Sequence, residues 1–143
     1  MKNCSISTSW SEKAGISLFT IYYKNEYFTG TATCCEEDKE FKSEIFGEAL
    51  AENRATRKYF AFIRDNEIIP ELKALNQLYY SMKHSSQFNP KSYEAKMLFR
   101  QIKQREEDLE IIKFLIQDLR KQEIMLKRSL ERTKEYRKRK EPV

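Results

Sequence analysis

Two short runs of this 143-residue chain set guanidinium groups beside aromatic rings. The first is Asn53-Arg54-Ala-Thr-Arg57-Lys58-Tyr59-Phe60, and the second is Leu98-Phe99-Arg100. On a helix, residues three apart are neighbours, so Arg54, Arg57 and Phe60 share one side. A guanidinium fork grips phosphate oxygens through paired hydrogen bonds, while a ring stacks on a base. The same neighbours serve equally well as cation–π and stem packing, and the pattern leaves both readings open. Arg105 and Glu123 interrupt an apolar stripe further along. Each can pair across a helix seam and fix its register, or mark a place where the seam opens and Arg105 lines a pocket. Arg128 adds a cation from the basic C-terminal stretch. The candidate ligand-binding residues are therefore Arg54, Arg57, Phe99, Arg105 and Arg128.

Catalytic sets are harder to assemble. His84 is the one histidine, it falls in a turn, and no metal-ligand spacing surrounds it. Cys34 and Cys35 are adjacent, so on a strand their side chains point to opposite faces. Gly15, Gly30 and Gly47 are too far apart to form a phosphate-cradling loop. The carboxylates are scattered, so none pairs off as an acid and a base. The sequence is read as a non-enzyme without metal or cofactor.

The elements that would position these groups follow from periodicity. Residues 1–14, polar and serine-rich, read as a loosely attached arm. Ile16-Ser-Leu18-Phe19-Thr20-Ile21-Tyr22-Tyr23 and Tyr27-Phe28-Thr29-Gly30-Thr31-Ala32-Thr33-Cys34 are rich in β-branched and aromatic residues. They predict an antiparallel hairpin over 15–35, with Asn25 in the turn and Gly30 at a bulge or a close backbone approach. Ser43 is placed to cap a first long helix over 43–83. Its stripe runs Ile45, Ala49, Thr56, Tyr59, Ile63, then Ile68, Leu72, Leu75, Tyr79 and Met82, with a break near Pro70. Asn89 as cap and Pro90 in the first turn predict a second long helix over 90–138, with a tail at 139–143. Along it Leu98, Ile102, Arg105, Leu109, Ile112, Ile116, Leu119, Glu123, Leu126 and Leu130 recur in 4,3 steps, a coiled-coil seam. Such a helix, roughly 70 Å long at 1.5 Å per residue, needs the first helix folded onto it, a second copy of the chain, or both. The expected fold is mainly α with a small antiparallel β ribbon, one domain over 15–138, assembled as an oligomeric coiled-coil-like bundle.

Composition narrows the class. Charged residues reach 34%, hydrophobic ones 40% and aromatic ones 13%, too apolar for a disordered chain. A mean hydropathy of -0.77 speaks for much exposed helical surface. No apolar run is long enough for a membrane span, no signal peptide is evident, and three cysteines make a poor disulfide framework. The expected setting is cytoplasmic. Of the net charge of +5, residues 120–140 carry ten basic against three acidic side chains, while the remainder is slightly acidic. That end can meet phosphates, or simply be a solvated helix terminus.

At the hairpin-to-helix junction the chain reads Gly30-x-Ala32-x-Cys34-x-x-x-Asp38, then Gly47-x-x-x-Ala51-x-x-Arg54-Ala55. This pattern resembles the first family of phage Thoeris anti-defence proteins. The resemblance implies a small antiparallel ribbon with two long helices, assembled as dimers and higher oligomers. It also implies a non-enzymatic sponge that sequesters a cyclic ADP-ribose isomer used as an immune signal in the bacterial host cytoplasm. The site residues named above come from their own chemistry rather than from the family. Two other readings stand beside it: a nucleic-acid-binding phage protein using its basic C-terminal helix, and a structural coiled-coil adaptor.

Overall fold

A computed structural model describes residues 4–11, 15–33 and 44–140; side chains are described except at 10, 11, 44 and 133–140. The chain is mostly helical, with a three-stranded antiparallel sheet at its N-terminal end. Strands β1 (Cys4–Ser11), β2 (Ile16–Tyr23) and β3 (Glu26–Thr33) lie in the order β1-β2-β3. Helices α1 (Glu44–Ile63), α2 (Ile69–Lys83) and α3 (Tyr93–Lys140) follow.

The β2–β3 hairpin turns on Lys24 and Asn25, both with positive φ (48° and 63°). That matches the two-residue turn whose twist suits antiparallel strands. Expectation and structure differ at the N-terminus. Residues 4–11, read as part of a loose arm, form a full strand paired along its length with β2. The physical reason is strict alternation: Ser5, Ser7 and Ser9 on one face, and Cys4, Ile6 and Thr8 on the other.

Between α1 and α2 the backbone widens into one π-helical turn, Arg64–Ile68, closed by the Ile69 amide donating to the Arg64 carbonyl. Pro70 sits in the first turn of α2. Lacking an amide hydrogen, proline cannot continue the preceding ladder, and the break falls just before it. The second long helix begins later than 90. Asn89 Oδ1 accepts the Lys91 amide within a turn, and Ser92 Oγ caps the helix by accepting the Ala95 amide at 3.2 Å. Serine three residues on replaces the expected Asn89 cap. Ser43, Cys34 and Cys35 lie outside the described residues.

Contacts gather in two compact units, where the sequence reading takes one domain over 15–138. One comprises the chain to Tyr59 with the chain from Gln117 on; the other is Phe60–Ile116. In the first, one sheet face is buried through Ser17, Phe19, Ile21, Phe28 and Ala32. Gly30 meets α1 so closely that a Cβ there would lie 1.9 Å from the Ala51 carbonyl oxygen. Helix α1 accordingly buries Ala51, Asn53 and Ala55, while Ile45 is 80% exposed, which corrects the expected stripe. Small residues win this face because they let helix and strand backbones approach. In the second unit Ile68, Ala95, Leu98, Ile102, Ile112 and Ile116 form the core. This stretch of the α3 seam is therefore covered within the chain itself.

Candidate functional site

Helix α1 presents Asn53, Arg54, Arg57 and Lys58 over two successive turns, and the close seat of Ala51 and Ala55 on Gly30 sets their height above the sheet. Arg54 Nε donates to Glu123 Oε1 at 2.9 Å, and Arg57 Nη2 donates to the same oxygen at 2.6 Å. Lys127 Nζ lies 3.4 Å from Glu123 Oε2. Three cations thus surround one carboxylate. Arg57 Nε also donates to Asn53 Oδ1 at 2.9 Å, and Asn53 Nδ2 donates to the Leu119 carbonyl at 2.7 Å. Asn53 is buried with both ends of its amide satisfied, so it clamps α1 to α3 and aims Arg57.

Burial of the Glu123 carboxyl pushes its pKa up, but the Arg54 hydrogen bond and the charges of Arg57, Arg54 and Lys127 outweigh that and hold it below the usual carboxylate range. Glu123 is therefore an anion at neutral pH.

Beside this cluster is a cavity of about 550 Å³. Asn53 forms part of its wall, with Thr56, Gln122 and Ser129 as polar groups and Leu119, Met125 and Leu126 as apolar ones. Among the described residues Glu52 is the one charged residue that lines it; Arg57 reaches its wall through Asn53, so a phosphate is favoured outside the cavity, at the arginines. The volume suits a nucleoside-sized ligand, and the mixed walls suit a flat ring with hydrogen-bonding edges.

Of the residues expected at a site, Arg54 and Arg57 come together. Phe99 and Arg105 belong to the other unit. There Phe99 packs 6.4 Å from the Tyr79 ring under Lys103, and Arg105 pairs with Asp108 at 3.2 Å and Glu71 at 3.6 Å. Both positions are employed by packing and ion pairs there. Arg128 is exposed on α3. Glu123 stood out in the sequence as a seam breaker, but nothing there named its two arginine partners. Thr56 was legible only as a member of the first helix's stripe, and Gln122 and Ser129 carried no signal at all. Among the described residues no group of three His, Cys, Asp or Glu side chains could hold a metal ion, and no helix is long and apolar enough to cross a membrane. No family model, curated protein or solved structure matches the chain.

Proposed function

We propose that this protein captures a cyclic nucleotide signal of the cyclic ADP-ribose class and holds it without turnover. On this reading it is a phage anti-defence sponge in the bacterial host cytoplasm, and it works as a homodimer or larger homo-oligomer. The observation that carries the reading is the surplus of positive charge, three cations on one carboxylate, joined through Asn53 to the wall of a nucleoside-sized cavity. The ligand's pyrophosphate takes the Arg54 and Arg57 forks in competition with Glu123, and its base enters between Leu119 and Met125. Each charge-assisted hydrogen bond is worth roughly 1.5–3 kcal/mol, or about 10- to 150-fold in affinity.

A second reading has its own observation. Arg120, Lys121, Lys127, Arg128 and Arg132 are all exposed along the C-terminal part of α3, a charge stripe suited to polynucleotide phosphates.

Calorimetry of the purified protein against cyclic ADP-ribose isomers and cyclic oligonucleotides, followed by heating and analysis of the released compound, tests the proposal. Saturable binding that survives moderate salt, with unchanged ligand recovered, is the expected result. No heat and no retained ligand overturns it, as does a hydrolysed product. Binding of polynucleotide that collapses with salt favours the second reading.

A further inference from the structure

The two edges of the sheet are treated differently. On the β3 edge, the Thr29 carbonyl accepts Lys58 Nζ at 2.7 Å and the Thr31 carbonyl accepts Arg54 Nη1 at 2.6 Å. Cations planted on outward carbonyls close that edge to any further strand, a common protection of sheet edges. Among the described residues the β1 edge has none of this. Strand β1 is eight residues long and contains no proline, no lysine and no other charged residue. Among the described residues, no hydrogen bond outside the β1–β2 ladder reaches its backbone.

Burial points the same way. Ile6 shares a face with Ile21 and Phe28 by register, and those two are 5% and 8% exposed where the helices cover them. Ile6 itself is 62% exposed, and Thr8 beside it is exposed too. The covering layer stops short of β1. The edge thus combines unpaired backbone groups, an absence of charge and an uncovered apolar residue.

We propose that the free edge of β1 pairs antiparallel with β1 of a second copy of this chain, making one continuous six-stranded sheet. A backbone ladder is completed only by another extended strand, and β1 is complementary to itself. Its alternation means that any antiparallel register keeping the two faces matched sets serines opposite serines on one side. On the other side, Ile6 comes opposite Thr8 of the second copy when the two strands pair about Ser7. Two chains that each carry +5 meet there with no like charges opposed. The pairing is isologous and closes at two, because the β3 edges left at either end are blocked.

Sedimentation of the full chain at micromolar concentration, with amide exchange followed over a dilution series, tests this. The expected result is a mass twice the 17.2 kDa of one chain, with β1 amides losing protection on dilution. Ser7 and Ser9 are exposed, so Ser7→Lys with Ser9→Lys leaves the monomer's circular dichroism unchanged while opposing like charges across the edge. The dimer should then weaken at least about tenfold. A monomeric mass at every concentration overturns the proposal and turns the edge over to an extended peptide of another protein. A doubled mass that persists in the lysine variant, with β1 exchange independent of concentration, overturns it in favour of a helical interface.

Discussion

Replacing Glu123 with glutamine keeps the shape of the side chain and an acceptor oxygen but removes the charge that Arg54 and Arg57 share. The carboxylate is 15% exposed, against 31% for Arg54 and 23% for Arg57, so screening is partial. A hydrogen bond to an ionised group is worth about 1.5–3 kcal/mol, against about 0.5–1.5 for a neutral one. Two such bonds each lose about 1 kcal/mol, and the pair with the 56%-exposed Lys127 adds nothing dependable. Glu123→Gln should therefore cost about 2 kcal/mol at neutral pH and lower Tm by roughly 4–8 °C.

The pH dependence gives a second check. The folded pKa of Glu123 lies below its unfolded value of about 4.3. A depressed carboxylate contributes stability that is fully present above the unfolded pKa and lost as pH falls through the folded one. Wild type and variant should differ at pH 7 and converge in acid. Ligand capture should run the opposite way. If phosphate must displace Glu123 to reach the guanidiniums, the neutral amide yields more easily, and capture tightens by up to about tenfold for roughly 1.4 kcal/mol. Urea titration and calorimetry on one pair of proteins read all three effects. A stability difference under about 0.5 kcal/mol at pH 7 refutes the weight given to the cluster. Lower stability together with weaker capture refutes the competition.

Gly30→Ala drives a Cβ to 1.9 Å from the Ala51 oxygen and 2.5 Å from the Ala55 nitrogen, both backbone, and should cost about 3 kcal/mol or more by urea denaturation. Ser17 is fully buried with no partner for its hydroxyl, so Ser17→Ala should be neutral or stabilising by up to about 1 kcal/mol. Ser92→Ala removes the cap of α3 and should cost about 1 kcal/mol in thermal unfolding. Arg54→Ala with Lys58→Ala uncovers the β3 carbonyls; a sheet with two open edges should assemble beyond the dimer in sedimentation, and an unchanged size would refute the edge argument.

The parts of the fold that were legible are those with a local cause. A polar dipeptide between two β-branched runs gives the hairpin, Pro70 marks the break ahead of α2, and 4,3 spacing marks the buried stretch of α3 from Leu98 to Ile116. Strand β1 was equally local, since serine at every second position is a strand pattern with one polar face. Serine content masked it because loops are also serine-rich. The face of α1 could not be read by counting large apolar residues. Ala51 and Ala55 are buried because Gly30 opposes them, and that requirement belongs to the packed pair rather than to the helix. The arginines were legible by type and spacing. Their partner, 66 to 69 residues away, depends on how α1 registers against the later part of α3, which no local rule supplies.

Arg54 and Arg57 are consequently not equivalent, although the sequence presents them as a pair. Arg54 spends Nη1 on the Thr31 carbonyl and Nε on Glu123, so one side chain both closes the β3 edge and joins the anion cluster. Arg57 spends Nε on Asn53 and Nη2 on Glu123, and among the described residues it donates to no strand carbonyl. A guanidinium carries five donor hydrogens, so Arg54 can turn its remaining ones to a phosphate without releasing Thr31. Capture and edge closure are therefore compatible in the intact protein and become separable only by substitution. Loss of Arg57 removes phosphate contacts and leaves the sheet as it was. Loss of Arg54 removes phosphate contacts and also strips an edge carbonyl of its partner. Weak capture at unchanged size marks a damaged pocket, whereas weak capture with growing size marks an opened sheet.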